Sequence, residues 1–116
     1  MRAHDDVSGG LRAEADRFAE AAQVLALLAD PTRLQLLSLL TTEQDVSTLS
    51  ARVPASRSSV SQHLGRLRLA GLVHARKDGR RVLYRVASDH LSALVAEALD
   101  YADHVTLGIP HHRRDR

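Results

Sequence analysis

The stretch that decides the fold runs from Ala55 to Arg85 and reads ASRSSVSQHLGRLRLAGLVHARKDGRRVLYR. A short segment rich in small polar and basic residues leads directly into two strand-like pieces joined by a charged turn. This order is typical of a DNA-reading helix followed by a β-hairpin wing. The stretch holds one acidic residue, Asp78, against eight basic ones: Arg57, Arg66, Arg68, Arg76, Lys77, Arg80, Arg81 and Arg85.

This concentration of charge contrasts with the chain as a whole. The 116 residues carry a formal net charge of only +2. Because the positive charge is gathered in one stretch, the sequence predicts a surface that binds the phosphates of nucleic acid.

Composition indicates one small domain. Apolar residues make up 44% of the chain and aromatic residues 3%, so Leu, Val and Ala must fill the core. The absence of Cys excludes disulfides and thiolate metal sites. No apolar run is long enough to span a membrane and no signal-peptide core follows Met1. We therefore expect a cytoplasmic protein without a membrane partner.

Apolar spacing and turn signals predict five helices and two strands. Within the fourth helix, Val60, Leu64, Leu67 and Leu69 are predicted to face inward, Ser56 to cap the start and Gly71 to end it. Lys77-Asp78-Gly79-Arg80 is predicted as the hairpin turn, with Asp-Gly as its favoured dipeptide. The predicted helices are 13–29, 46–53 and about 89–106, with a second helix that begins at Pro31 and a fourth that lies between Ser56 and Gly71. The predicted strands are 72–75 and 82–86.

The predicted fold is mostly α with a β-hairpin wing, a winged helix-turn-helix in the order α-α-α-α-β-β-α. The first and last helices have apolar faces that the central module cannot cover, which predicts a homodimer formed through them. We expect a mobile N-terminal segment (1–12), the DNA-binding domain with its dimerisation helices (13–107) and a polar His/Arg tail (108–116).

Three segments resemble the ArsR/SmtB family of metal-responsive transcriptional regulators. They are LADPTRLQLLSLL (Leu28–Leu40), SSVSQHLGRLRLAGLV (Ser58–Val73) and RKDGRRVLYRV (Arg76–Val86). The resemblance extends from about residue 15 to residue 104. It implies a homodimer that binds a palindromic operator, in most cases as a repressor of metal-homeostasis genes, under the control of a bound metal.

A helix in the major groove reaches base edges from its first turns. Arg57 suits guanine and Gln62 suits adenine, whereas the serines suit either DNA contact or capping and solvation. His63 suits either DNA or packing within the protein. Lys77, Arg80 and Arg81 are expected to meet phosphate. The candidate DNA-binding residues are Ser56, Arg57, Ser58, Ser59, Ser61, Gln62, His63, Arg66, Lys77, Arg80 and Arg81.

Two metal sites of the family are altered in this chain. The site before the recognition helix uses cysteines, and the segment 46–49 has none. The zinc-site pattern of the last helix falls on Ser88, His90, Tyr101 and His104, so two of its four ligand positions are lost.

A second set of ligands resembles the nickel/cobalt-sensing branch, which ends in a GIP segment with a His pair. The set is His90, Asp103, His104, His111 and His112, and it suits nickel first, with cobalt or zinc as alternatives. His90 and His104 lie roughly 21 Å apart along one helix, so only antiparallel helices of a dimer could bring them to one ion. The alternative interpretation is that the tail is solvated and binds no metal. His4 is a further candidate ligand.

The predicted function is a DNA-binding transcriptional regulator whose affinity depends on a divalent metal. The alternative is a regulator of the same fold that ignores metal and is set by a partner protein. We predict no enzyme activity, because the sequence has no nucleophile–base constellation, phosphate loop or nucleotide fingerprint.

Overall fold

Five helices and one two-stranded antiparallel sheet make up the structure, a computed structural model that describes residues 2–108, with side chains from residue 10 except residue 12. Their order confirms the predicted winged helix-turn-helix. No helix within that range is both long and apolar enough to cross a membrane. The elements are α1 (Arg2–Leu28), α2 (Pro31–Leu39), α3 (Val46–Arg52), α4 (Arg57–Leu69), β1 (Val73–Asp78), β2 (Arg81–Val86) and α5 (Asp89–Leu107).

The chain divides into two units, Met1–Asp30 and Pro31–Arg116. In the first unit α1 begins at Arg2 and not at residue 13 as predicted. The helix includes the Gly9-Gly10 pair, although each Gly disfavours a helix by about 1 kcal/mol. Leu11, Phe18 and Leu25 are exposed at seven-residue intervals, so one side of α1 carries an apolar stripe.

The second unit has a core made of aliphatic side chains. As predicted, leucine and valine fill it, and α2, α3, α4, α5 and β1 each contribute. Burying such a side chain stabilises the fold by about 1.5–3 kcal/mol. The fully buried residues are Leu36, Leu37, Leu40, Leu49, Val60, Leu64, Leu67, Val73 and Val95.

The wing is a hairpin with a tighter turn than the sequence predicted. Its register pairs Val73 with Val86 at the base and Asp78 with Arg81 at the tip, which leaves Gly79-Arg80 as a two-residue turn. Gly79 has φ +64°, whereas no residue other than glycine has positive φ in the described range. A positive φ at the first central position alone is the sign pattern of a type II′ turn. The predicted Asp-Gly centre was therefore wrong by one residue.

A short extended segment (residues 43–45) lies beside the wing, where Gln44 forms an isolated antiparallel bridge with Tyr84. The Gln44 and Tyr84 backbones bond each other in both directions, at N···O distances of 3.0 and 2.9 Å. Below them, the Val86 amide donates to the Leu40 carbonyl at 2.9 Å. These bonds attach β2 to the chain that connects α2 to α3.

Candidate nucleic-acid interface

Local signals fix both ends of α4, the predicted recognition helix. The Ser56 side chain accepts a hydrogen bond from the Ser59 amide at 3.0 Å, which confirms the predicted N-cap. Gly71 has φ +78°, and its amide donates to the Arg68 carbonyl at 3.0 Å. Of the two interpretations of the serines, capping therefore applies to Ser56.

One side of α4 is buried and the other is polar and basic. Val60, Leu64 and Leu67 are fully buried, as predicted. Leu69 was predicted to face inward but is 92% exposed, because it follows Leu67 by two residues, or about 200° around the helix. Ser59 and His63 are half-buried, and the remaining predicted side chains are exposed: Arg57, Ser58, Ser61, Gln62 and Arg66.

Arg57, at the first position of α4, is tied to α3. Its Nη1 donates to Ser47 Oγ at 2.6 Å. The guanidinium has further N–H donors, so it can still reach a guanine edge. Ser47 was not among the predicted site residues, because nothing in the sequence shows that it faces Arg57 across the helix-turn-helix.

The basic residues of the wing differ in their partners. Lys77 and Arg80 are exposed, and within the described part of the chain neither side chain makes a hydrogen bond or ion pair. Arg81 donates from Nη2 to Asp78 Oδ2 at 3.0 Å, and its Nη1 lies 3.6 Å from Asp45 Oδ2. Lys77 and Arg80 are therefore available for phosphate, whereas Arg81 is engaged.

Arg76 is engaged as well, although its partner could not be predicted from the sequence. Its Nε and Nη2 donate to the two carboxylate oxygens of Glu43 at 2.5 and 2.7 Å. These hydrogen bonds are the main reason that the pKa of Glu43 is lowered. Hydrogen bonds from Thr48 at the start of α3, and secondarily Arg81, lower the pKa of Asp45. Both carboxylates are therefore charged at neutral pH.

Two concave regions lie between the helices and the wing. One, of about 240 Å³, is lined by Arg57, Arg80 and Arg81 together with Asp45. The other, of about 680 Å³, is lined by Gln62, Arg66, Arg68, Leu69 and Tyr84. Of the arginines that line these clefts, Arg66, Arg68 and Arg80 can hold the phosphate backbone of a nucleic acid.

The candidate metal ligands lie at opposite ends of α5. His90 is exposed in its first turn and His104 is half-buried in its last, where the Tyr101 ring stacks on it with centroids 6.5 Å apart. Asp103 is exposed. Among the side chains that the structure describes, no three His, Cys, Asp or Glu residues come together in one protomer. His111, His112 and the side chain of His4 lie outside the described residues.

The surface of α5 is apolar on two adjoining sides. Leu91 and Val95 pack into the core, and Ser88 caps the helix by accepting from the His90 amide at 3.0 Å. Beside them an exposed stripe, the α5 stripe, follows the helical spacing of four, three and four residues. It consists of Leu94, Ala98, Tyr101 and Val105.

Comparison with known proteins identifies the family. Residues 30–75 match the arsR family of bacterial regulatory proteins. The transcriptional regulator KmtR of Mycobacterium tuberculosis is 42% identical over 100 residues, covering 85% of this chain and 77% of its own. The transcriptional repressor SmtB of the same species is 36% identical over 120 residues, covering 86% and 89%.

The fold matches a solved structure as well. The homodimeric winged helix-turn-helix DNA-binding domain of Mb0332 from Mycobacterium bovis superimposes with a TM-score of 0.72 at 32% identity, covering 85% of this chain and 93% of that one. These relatives are regulators and not enzymes. The chain therefore belongs to the ArsR/SmtB family and is a winged helix-turn-helix transcriptional regulator.

Proposed function

We propose that this regulator binds a palindromic operator as a homodimer in the cytoplasm, and that a divalent metal changes its affinity for DNA. The observation that carries the DNA-binding role is the exposed face of α4. It presents Arg57, Ser58, Ser61, Gln62 and Arg66 beside a wing whose Lys77 and Arg80 are unpaired among the described residues.

We assign base contacts to the first turns of α4 and phosphate contacts to the wing. Arg57 can donate two hydrogen bonds to guanine, and Gln62 can donate and accept on adenine. Lys77 and Arg80 are positively charged, and no protein group that the structure describes holds their side-chain donors. Both side chains can therefore turn toward phosphate. The exposed serines add hydrogen bonds to phosphate or base edges.

The homodimer is supported by two exposed apolar stripes. One runs along α1 through Leu11, Phe18 and Leu25, and the other is the α5 stripe. A two-fold axis lets each stripe pack on its own copy. The Mb0332 domain, of the same fold, is homodimeric.

The chemistry of α5 supports a metal site completed by a second copy. Imidazole from His90 and His104 with carboxylate from Asp103 suits nickel, cobalt or zinc, and we propose that the tail (108–116) adds His111 and His112. Fourteen residues place His104 within about 40° of His90 around α5, on the same side of the helix. When bound, the metal would join α5 of one protomer to α5 of its partner.

A regulator that ignores metal is the second candidate, and one observation favours it. Two positions where the family has ligands have other roles here. Ser88 caps α5, and Tyr101 stacks on His104. In this alternative a partner protein sets the affinity for DNA.

A mobility-shift titration separates the two candidates. The probe is a duplex of the region upstream of the chain's own gene, with and without nickel, cobalt and zinc. If one metal changes the affinity for the duplex by at least about tenfold, the metal sensor is supported. If the affinity is the same with and without every metal, the alternative is supported. No shift at any protein concentration up to micromolar contradicts DNA binding itself.

Calorimetric titration with nickel tests the residues. We expect His104→Ala to weaken binding by at least tenfold, because it removes an imidazole held on a rigid helix. His74→Ala is the matched control, since His74 is an exposed histidine on β1 outside the ligand set. Equal binding by all three proteins, or no binding tighter than about 0.1 mM (near 5.5 kcal/mol), contradicts the proposed site.

A further inference from the structure

The two faces of the wing carry different kinds of basic residue. Side chains alternate between the faces of a sheet, and paired residues share a face. The register therefore places Arg76, Asp78 and Arg81 on one face, here called the clamp face. Lys77 and Val82 lie on the opposite face.

The segment 43–45 brings two carboxylates to the clamp face. Gln44 pairs with Tyr84, so Glu43 and Asp45, one residue to either side, lie on the other side of the sheet from Gln44. Glu43 forms the two-bond ion pair with Arg76, and Asp45 lies 3.6 Å from Arg81. Two acidic residues of one short segment thus form ion pairs with two arginines of the hairpin.

We propose that Glu43 and Asp45 are positioning residues for the wing: through Arg76 and Arg81 they fix its angle against the recognition helix. In this arrangement Arg76 and Arg81 serve the clamp and do not contact the DNA backbone. The proposal deepens the proposed function and rests on DNA binding by α4 and the wing. It replaces the predicted phosphate contact of Arg81.

The charges explain why the clamp arginines are poor phosphate ligands. Arg81 faces two carboxylates, Asp45 and Asp78, so the group of three is negative by one charge. Arg76 and Glu43 neutralise each other. Exposed ion pairs contribute little to the free energy of unfolding. We therefore expect loss of the clamp to change the affinity for DNA more than the stability of the fold.

A charge swap distinguishes a clamp arginine from a DNA-contacting one. Arg76→Glu alone places a second carboxylate beside Glu43, and the two repel each other. We expect binding to the upstream duplex to weaken about tenfold, which is a coupling typical of residues in one ion-pair network. The double variant Glu43→Arg/Arg76→Glu restores the pair and the net charge, so we expect affinity close to wild type. A double variant as weak as Arg76→Glu overturns the proposal.

In Asp45→Asn the two assignments of Arg81 predict opposite changes in the affinity for DNA. Asparagine caps a helix as well as aspartate does, so α3 keeps its start. If Arg81 serves the clamp, Asp45→Asn weakens DNA binding even though it removes a negative charge. If Arg81 contacts phosphate, the same change frees it and strengthens binding, which contradicts the clamp.

The salt dependence of binding compares Arg81 with its neighbour. Arg80→Ala should lower the slope of log K against log salt by about one, as loss of a phosphate contact does. Arg81→Ala should weaken binding and leave the slope unchanged. If Arg80→Ala and Arg81→Ala lower the salt slope equally, the assignment of Arg81 to the clamp is overturned.

Amide hydrogen exchange tests the clamp without DNA. In Glu43→Gln/Asp45→Asn we expect the Gln44 and Tyr84 amides to exchange about tenfold faster, with the Val95 amide as an unchanged control. Unchanged exchange at Gln44 and Tyr84 overturns the clamp even if DNA binding is normal. Failure of the wild type to bind the upstream duplex contradicts the proposed function instead, and exchange then still decides whether the clamp holds the wing.

Discussion

The recognition helix α4 and the last helix α5 begin and end with the same types of residue, but their exposed surfaces differ in polarity. Each begins with a serine cap, Ser56 or Ser88, and each is followed by a glycine at positive φ, Gly71 or Gly108. Both bury one aliphatic side in the core. The exposed side of α4 is polar and basic, however, whereas that of α5 is an apolar stripe. Local signals thus define where a helix lies, and the exposed face specifies whether it meets nucleic acid or protein.

Breaking the α5 stripe should have the largest effect. Leu94→Glu places a charge in the apolar stripe, and we expect the protein to be monomeric at micromolar concentration in sedimentation velocity. Binding to the upstream duplex should fall about 100-fold, because two half-sites are no longer bound as one unit. Ala93→Glu is the control, since the same charge lies about 100° away around the helix. Dimers of equal stability in both variants would contradict the interface.

Removing base contacts from α4 should have an intermediate effect. We expect Arg57→Ala and Gln62→Ala each to weaken specific binding by about 1–3 kcal/mol, with little change for a scrambled duplex. Fluorescence anisotropy with both duplexes measures the difference. Ser47→Ala controls for the tie between α3 and α4, because it removes the hydrogen bond and keeps the guanidinium. Losses as large in Ser47→Ala as in Arg57→Ala would show that the tie, and not the base contact, matters.

Removing the caps should have the smallest effect and should treat the two helices alike. Ser56→Ala and Ser88→Ala are each expected to lower the free energy of unfolding by about 1 kcal/mol, measured by urea denaturation. Ser58→Ala, at an exposed position inside α4, should cause no loss. Of the two cap changes, only Ser56→Ala should also weaken DNA binding. A Ser56 effect no larger than that of Ser58 would contradict the cap as a source of stability.

Much of the fold follows from local signals in the sequence. Pro31 marks the observed start of α2, and Ser56, Gly71 and the spacing of buried residues place α4 close to its observed bounds. The pairing of Gln44 with Tyr84 could not be predicted in this way, because it joins residues forty positions apart with no local signature. The hairpin turn was misplaced by one residue because Asp-Gly and Gly-Arg are both acceptable turn centres and cross-strand pairing decides between them.

In the candidate site too, features set by local sequence could be predicted, and contacts between distant residues could not. That the side chains of α4 are exposed could be predicted from helical periodicity. The partners of Arg76 and Arg81 could not, because composition shows how much charge a segment carries and not which carboxylate faces it. Asp45 did have a signal, since an Asp three residues before Thr48 is a typical N-cap. The metal ligands of α5 stay a prediction, because His90 and His104 can meet only across two protomers.

The hydrogen bond between Arg57 and Ser47 has a consequence for how sharply the protein distinguishes one base from another. The guanidinium is already ordered before DNA arrives, so less side-chain entropy is lost on binding, an effect of about 0.5–1.5 kcal/mol for a long side chain. When the opposing base offers no acceptor, Arg57 keeps Ser47 as a partner and is not left with an unsatisfied donor. Discrimination at that base pair is therefore graded, and a family of related operators can be tolerated at this position.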